Sequence, residues 1–136
     1  MYLLDTNIIS ELRKQKPHGA VLAWFKGVAV KQVFLSVVTI GELQAGIEKT
    51  KRQDTSKALE LETWLENLPD LFHVLSMDID CFREHARLMH GKSNDLLEDA
   101  MIAATAKVHR LIVVTRNTKD FRHLGVETLN PFLYRQ

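Results

Sequence analysis

This 136-residue chain lacks the cysteine pairs that form disulfides, and it lacks the apolar segments that direct proteins into or across membranes. It has one cysteine, Cys81, so no disulfide can form within the chain and we expect a reducing compartment. No apolar run is long enough to span a bilayer, and the opening residues MYLLDTNIIS lack the basic region and cleavage site of a signal peptide. We therefore expect a cytoplasmic protein without a membrane segment.

A strong charge of one sign is also missing, since the net charge is +1. Proteins that bind nucleic acid usually carry a marked basic excess, so the whole-molecule charge does not indicate such a partner. Basic residues do form local groups within segments 13–16, 49–52 and 116–122. Each group is either a solvated helix end or a contact for a polyanion, and both interpretations stay open.

Apolar residues make up 46% of the chain, enough for a hydrophobic core without disulfides or structural metals. No repeat or linker-like segment is present, so we predict a single domain over residues 1–136. Short apolar segments predict strands at 2–4, 33–38, 72–75, 111–114 and 126–129. Helical patterns occur at 6–13, after Pro17, from Thr39, at 54–67, through Ile79, Phe82, Ala86 and Met89 to Gly91, and at 94–109. This alternation predicts an α/β fold with a parallel sheet covered on both faces.

Three local signals indicate where helices begin and end. Thr39 is a suitable N-cap, and Glu42 three residues later completes a capping box. The polar stretch 49–57 predicts a loop. Pro69 is expected to follow the end of helix 54–67.

Four acids from distant parts of the chain are expected at the carboxyl edge of the sheet, where open α/β sheets bind ligands. Asp5 ends the first strand, and Glu42 lies near the start of the helix after the second. Asp99 begins the helix that leads into strand 111–114, and Asp120 lies in the loop after that strand. Glu98 is expected to point elsewhere, into solvent.

Each acid also has a structural interpretation. Asp5 would serve as a helix cap, Glu42 as half of the capping box and Asp120 as a turn residue. Asp99 fits such an interpretation least, because its helical neighbours are apolar and a buried Asp is almost always paired.

Clustered carboxylates repel one another and raise one another's pKa, so the site is costly without a cation. Mg²⁺ and Mn²⁺ prefer carboxylate and water oxygens. The six histidines form no pair at ligand spacing, and no glycine-rich phosphate loop is present. A hard divalent cation, Mg²⁺ or Mn²⁺, is therefore the expected cofactor.

Four segments carry a resemblance to a known family: Leu3-Leu4-Asp5-Thr6-Asn7, Thr39-Ile40-Gly41-Glu42-Leu43, Asp99-Ala100-Met101-Ile102-Ala103-Ala104-Thr105-Ala106 and Val114-Thr115-Arg116-Asn117-Thr118-Lys119-Asp120-Phe121. In this order and spacing the chain resembles the PIN-domain ribonucleases, and among them the VapC-type toxins of bacterial toxin–antitoxin pairs. The resemblance covers nearly the whole chain. It implies an α/β/α sandwich around a parallel sheet and an endoribonuclease dependent on Mg²⁺ or Mn²⁺.

The resemblance also implies roles for individual residues. Asp5, Glu42, Asp99 and Asp120 match the catalytic acids of the family, with Asp5 and Asp99 as the main metal ligands. Supporting roles are implied for Thr6, Thr115 and Asn117. Arg116 and Lys119 are predicted to hold the phosphates of the substrate.

The partners follow from the same resemblance. RNA, with transfer RNA as one class, is the expected substrate, cut by water to leave a 5′-phosphate and a 3′-hydroxyl. A VapB-type antitoxin is expected to silence the enzyme by placing a cationic side chain, such as arginine, in the acidic pocket. A homodimer is also expected. The segment around Trp64 is a candidate interface, although Trp64 fits the core better.

Three other functions are alternatives to this one. A strand ending in Asp5-Thr6-Asn7 invites comparison with aspartyl phosphotransferases of the haloacid-dehalogenase kind, but these need a second Asp where Asn7 stands. A binding module without catalysis has no need for four clustered carboxylates. A nuclease that cuts DNA is separated from a ribonuclease only by a comparison of substrates.

Overall fold

The computed structural model describes residues 1–135, which form one five-stranded parallel sheet with helices on both faces. The strands are β1 (Tyr2–Leu4), β2 (Val33–Ser36), β3 (His73–Leu75), β4 (Ile112–Val114) and β5 (Thr128–Leu129). The helices are α1 (Thr6–Arg13), α2 (Gly19–Lys26), α3 (Val37–Lys51), α4 (Thr55–Leu71), α5 (Ile79–Met89), α6 (Leu97–His109) and α7 (Thr118–His123). Short 3₁₀ turns cover Val30–Gln32, Asn94–Leu96 and Pro131–Leu133. Within the described residues, no helix is long and apolar enough to cross a membrane.

The central strand β1 contributes to a separate core on each face of the sheet. Leu4 packs into the core formed with α1, α2 and α4, whereas Leu3 packs into the core formed with α6 and α7. Successive side chains of a strand point to opposite faces, so a strand covered on both sides is apolar without interruption. The predicted α/β/α sandwich is therefore confirmed.

The strand order is β3-β2-β1-β4-β5. The chain adds β2 and β3 on one side of β1, and then adds β4 and β5 on the other side. The loops after β1 and β4 consequently diverge at the carboxyl edge, which opens a crevice between them. The Asp5 N–H donates to the Val114 carbonyl oxygen at 2.9 Å and joins the two strand ends there. This is the point at which a ligand site is expected.

The predicted capping box at the start of α3 is wrong. The strand ends earlier than expected, and the Ser36 hydroxyl caps the helix by accepting the Val38 N–H at 3.0 Å. Thr39 and Glu42 therefore lie inside α3, and their side chains are free for other contacts.

The predicted limits of α4 also need correction. The loop expected at 49–57 shrinks to residues 52–54, because α3 continues through Lys51 and the Asp54 carboxylate caps α4 at the Lys57 N–H. Pro69 lies inside α4, which ends only at Leu71. Proline is tolerated there because the helix continues only two residues further, and the Phe72 N–H closes it on the Leu68 carbonyl at 2.9 Å.

The expected apolar face of α5 is on the wrong side of the helix. Ile79 is 78% exposed and Phe82 is 51% exposed, whereas Cys81 is completely buried. The helix packs against α6, and Leu88 and Met89 join the core on that side. Two overlapping apolar stripes fit the helical spacing, and tertiary packing selects the one that includes Cys81.

Candidate functional site

Asp5 is the most deeply held acid at the carboxyl edge, with 5% of its surface exposed. One carboxylate oxygen, Oδ1, accepts the Thr6 N–H at 2.8 Å, so Asp5 does cap α1. The other, Oδ2, accepts the Thr115 hydroxyl at 2.7 Å and the Asn7 side-chain amide at 3.2 Å. Burial raises the pKa of Asp5, while these three hydrogen bonds oppose the rise. The carboxylate is thus both a cap and a fixed group facing the neighbouring strand.

A second set of hydrogen bonds fixes the residues that hold Asp5. The Thr115 hydroxyl accepts the Asn117 N–H at 2.9 Å while it donates to Asp5. The Asn7 side-chain oxygen accepts the Arg116 N–H at 3.3 Å. The backbone of Asn117 therefore supports Thr115, and Thr115 in turn supports Asp5.

Glu42 is half-buried beside Asp5, and the Thr6 hydroxyl donates to its Oε1 at 2.8 Å. The Thr6 hydroxyl also lies 3.0 Å from the Thr39 hydroxyl, which places Thr39 beneath this contact. Burial is the main cause that raises the pKa of Glu42 to about 7, and the negative charges of Glu98 and Asp5 add to it. Glu42 therefore gains and loses its proton near neutral pH when no cation is near.

The expectation that Glu98 points away from the other acids is wrong, although its side chain is exposed. Its carboxyl group lies close enough to Glu42 to raise the pKa of that residue, and both side chains line the same groove. Because α3 and α6 pack together, the first turn of α6 brings Glu98 to the acids as well as Asp99. The sequence did offer a signal for this contact, because Glu98 directly precedes Asp99 in the first turn of the same helix.

Asp99 and Asp120 complete the acidic edge. Burial raises the pKa of Asp99 to about 6, with further increases from the charges of Asp5, Asp120 and Glu98. Asp120 lies in the first turn of α7, not in the loop predicted for it. The structure thus brings Asp5, Glu42, Asp99 and Asp120 to one edge of the sheet. The charge of Asp5 acts on both Glu42 and Asp99, and the charge of Asp120 acts on Asp99.

These carboxylates are close but do not converge on a single point. Among residues 1–135, the only three His, Cys, Asp or Glu ligand atoms all within 4.8 Å of one another belong to Asp78, Cys81 and His109. His109 lies roughly 15 Å farther along α6 than Asp99, so that cluster is separate from the acidic edge. An open set of carboxylates fits Mg²⁺ or Mn²⁺, hard cations that keep several water ligands.

Comparison with known proteins agrees with this arrangement of strands. The sequence profile of the PIN domain matches residues 2–127. The chain belongs to the PIN domain family. A VapC ribonuclease of Sinorhizobium fredii, Y4jK, is 36% identical over 97% of this chain and 98% of its own.

Solved structures show the same relationship. The crystal structure of FitAcB from Neisseria gonorrhoeae superposes with a TM-score of 0.85 at 35% identity, covering 98% of this chain and 99% of that one. A toxin–antitoxin complex from Klebsiella pneumoniae gives a TM-score of 0.65 at 28% identity, covering 96% and 98% of the two chains.

Two surfaces adjoin the acids of this PIN domain. A groove of about 330 Å³ runs from Thr6 and Glu42 to Trp64, whose ring lies 5.7 Å from the Arg13 guanidinium carbon. Trp64 is half-buried, so it packs against the core on one side and lines this groove on the other. On the other surface Arg116 and Lys119 are exposed beside the acids. Within the described part of the chain, neither has a carboxylate within 4.0 Å.

Proposed function

We propose that this chain is an endoribonuclease toxin that hydrolyses RNA with Mg²⁺ or Mn²⁺ held chiefly by Asp5 and Asp99, and that a VapB-type antitoxin neutralises it. The observation that carries the proposal is the position of Asp5. It is buried at the crevice between β1 and β4 and is held by Thr115. Its charge, like that of Asp120, raises the pKa of Asp99. The ribonuclease and toxin–antitoxin descriptions of the relatives support the substrate and the partner.

The electrostatics support the need for a cation. Asp5, Glu42 and Asp99 all have raised pKa values, so negative charge at this edge is poorly compensated. A divalent cation supplies that compensation when bound, and it also makes bound water more acidic and offsets charge on the phosphoryl group. The carboxylate and hydroxyl oxygens present are the ligands that such an ion prefers.

The residues of the chain have distinct tasks in this proposal. Asp5 is held in one orientation by Thr115 and Asn7, which fixes where its oxygens face. Glu42, oriented by Thr6, is positioned to accept the proton of the attacking water. Attack by water on phosphorus breaks the P–O3′ bond, so the 3′-oxygen leaves as a hydroxyl and the phosphate stays on the 5′ end. Arg116 and Lys119 hold the substrate strand by its phosphates.

The antitoxin is proposed to act by charge pairing at the same edge. An arginine from the partner can pair with the carboxylates and exclude the metal. The groove from Glu42 to Trp64 offers apolar surface next to those acids, where a segment carrying that arginine would bind. The homodimer, the cytoplasmic location and the single domain over residues 1–136 remain predictions.

The direct test is incubation of the purified protein with total RNA in Mg²⁺, Mn²⁺ or chelator, followed by sequencing of the new 5′ ends. We expect cleavage only when metal is present, and the new ends should carry 5′-phosphates. Transfer RNA should be among the RNAs that are cut. Asp99→Asn should be inactive, whereas Asp80→Asn, an exposed acid on α5, should cleave normally. Cleavage of DNA but not RNA, or cleavage in chelator, would contradict the proposal.

A further inference from the structure

Arg116 is held by an aromatic ring near the end of the chain. Its guanidinium carbon lies 3.9 Å from the centroid of Phe132, in the turn Pro131–Leu133. A guanidinium over the face of a ring is attracted by the π electrons. Stacking uses the plane of the group and leaves its N–H donors available at the edge. The ring therefore restricts the side chain without occupying its hydrogen-bond donors.

The backbone of Arg116 is tied to the catalytic acids. Its N–H donates to Asn7, whose side-chain amide donates to Asp5 Oδ2. The preceding residue, Thr115, donates its hydroxyl to the same Asp5 oxygen. A group bound by the Arg116 side chain is consequently held at a fixed position relative to Asp5.

The turn that carries Phe132 is itself well supported. The Asn130 side-chain oxygen accepts the Phe132 N–H at 3.0 Å, and Pro131 is buried at the first position of the turn. The His18 ring, at the start of α2, lies 4.9 Å from the Phe132 ring centroid. The aromatic ring thus has a defined place next to Arg116.

The guanidinium is exposed and, among the described residues, has no carboxylate within 4.0 Å. An oriented, unneutralised guanidinium beside a nuclease site is suited to a phosphate, which it can bind through two N–H donors. We propose that Phe132 is a positioning residue that orients Arg116 to bind an RNA phosphate next to the one that is cut. This inference rests on the proposed ribonuclease function.

RNA fits this position better than the antitoxin does. The antitoxin is proposed to place a cation at the acids, and a second cation beside Arg116 would be repelled. An RNA strand that crosses the acidic edge brings phosphates on both sides of the cleavage point. The charge of Arg116 therefore complements the substrate.

The test measures binding of a short, fluorescein-labelled, random-sequence RNA to the full chain in chelator, across a series of KCl concentrations. Phe132→Leu and Arg116→Gln should each weaken binding on the order of three- to tenfold. The double variant should bind no more weakly than Arg116→Gln alone, because both substitutions disable one contact. Arg116→Gln should also lower the slope of log affinity against log salt by about 0.7.

Three variants and one comparison separate positioning from a structural role. Phe132→Tyr keeps the ring and should bind like the wild type, and so should Arg83→Gln, which changes an exposed arginine on α5. Arg116→Lys keeps the charge but not the plane, so Phe132→Leu should have no further effect in that background. The same variants should raise KM for cleavage more than they lower kcat.

Additive effects of the two substitutions, or wild-type RNA binding by Phe132→Leu, would overturn the inference. So would weaker antitoxin binding with unchanged RNA binding, since the stack would then serve the antitoxin. Failure of the wild type to cleave RNA with Mg²⁺ or Mn²⁺ would refute the proposed function instead, and that result is read from a different assay.

Discussion

Two groups of potential metal ligands differ in how their negative charge is compensated. Asp78, Cys81 and His109 bring their ligand atoms within 4.8 Å of one another, yet Asp78 caps α5 and its backbone hydrogen bond from Cys81 lowers its pKa. Asp5 and Asp99 belong to a looser group, but their pKa values are raised. We therefore expect a hard cation to bind where burial leaves negative charge uncompensated, even if the ligand atoms are farther apart.

The largest expected difference between the two groups is in catalysis. Asp5→Asn should reduce cleavage by more than about 100-fold, because loss of a metal ligand costs at least as much as loss of a group that supports one. Asp78→Asn should leave cleavage unchanged, since Asn is an equally good helix cap. Initial rates on total RNA in Mg²⁺ measure both.

The same Asp5→Asn variant should melt at a higher temperature than the wild type in chelator, because one repelling charge is removed while shape and cap are kept. Retained cleavage would refute the catalytic role of Asp5. A lower melting temperature without metal would refute the repulsion argument alone.

The next effect concerns the support of Asp5. Thr115→Val removes the hydroxyl that bonds to Asp5 and to the Asn117 N–H. We expect metal affinity to fall about 10- to 100-fold, as is usual for such supporting groups. Thr115→Ser keeps the hydroxyl and is the matched control. Equal metal affinity in Thr115→Val and Thr115→Ser would show that this hydrogen bond does not matter.

The acidic edge should also make stability depend on pH. The folded-state pKa values of Glu42 and Asp99, about 7 and about 6, exceed the usual values of 4.5 and 3.8. Between these limits the folded protein binds more protons than the unfolded chain, so its stability falls as pH rises from about 4 to about 7.

We expect the loss over this range to be on the order of 1–2 kcal/mol, after allowance for partial exposure of both groups. Denaturant unfolding in chelator at several pH values measures it, and saturating Mg²⁺ should reduce it. A stability that rises over the same range in chelator would contradict the description of the acidic edge.

The position of the acids was predictable because topology alone decides it. A residue after a parallel strand, or in the first turn of a helix leading to one, must lie at the carboxyl edge. Asp5, Asp99 and Asp120 follow this rule, and Glu42 lies one turn farther into the helix that begins after β2. The rule depends on the backbone and not on side-chain packing. The α/β/α layers were predictable for a similar reason, since uninterrupted apolar strands must be covered on both faces.

The direction of individual side chains was not predictable in this way. Glu98 reaches Glu42 only because α3 and α6 pack together, and Ile79 is exposed because α5 uses a different apolar stripe. The stacking of Arg116 on Phe132 joins residues that share no local pattern. Each depends on contacts between elements distant in sequence.

The smallest expected effect tests one of these unpredicted contacts. Glu98→Gln removes a charge that raises the pKa of Glu42, so that pKa should fall in the metal-free protein. Because the side chain of Glu98 is exposed, stability in chelator at neutral pH should change by less than about 1 kcal/mol and cleavage only a few-fold. Carboxyl NMR titration of Glu42 follows the shift, and an unchanged pKa would refute the contact.

Calorimetric titration of the metal-free protein with Mn²⁺ tests the central claim most directly. It compares the wild type with Asp99→Asn at the acidic edge and Asp78→Asn in the α5 cluster. We predict that the wild type and Asp78→Asn bind Mn²⁺ alike, whereas Asp99→Asn loses most of the affinity. Retained binding in Asp99→Asn together with loss in Asp78→Asn would place the cation in the compact cluster and contradict the account.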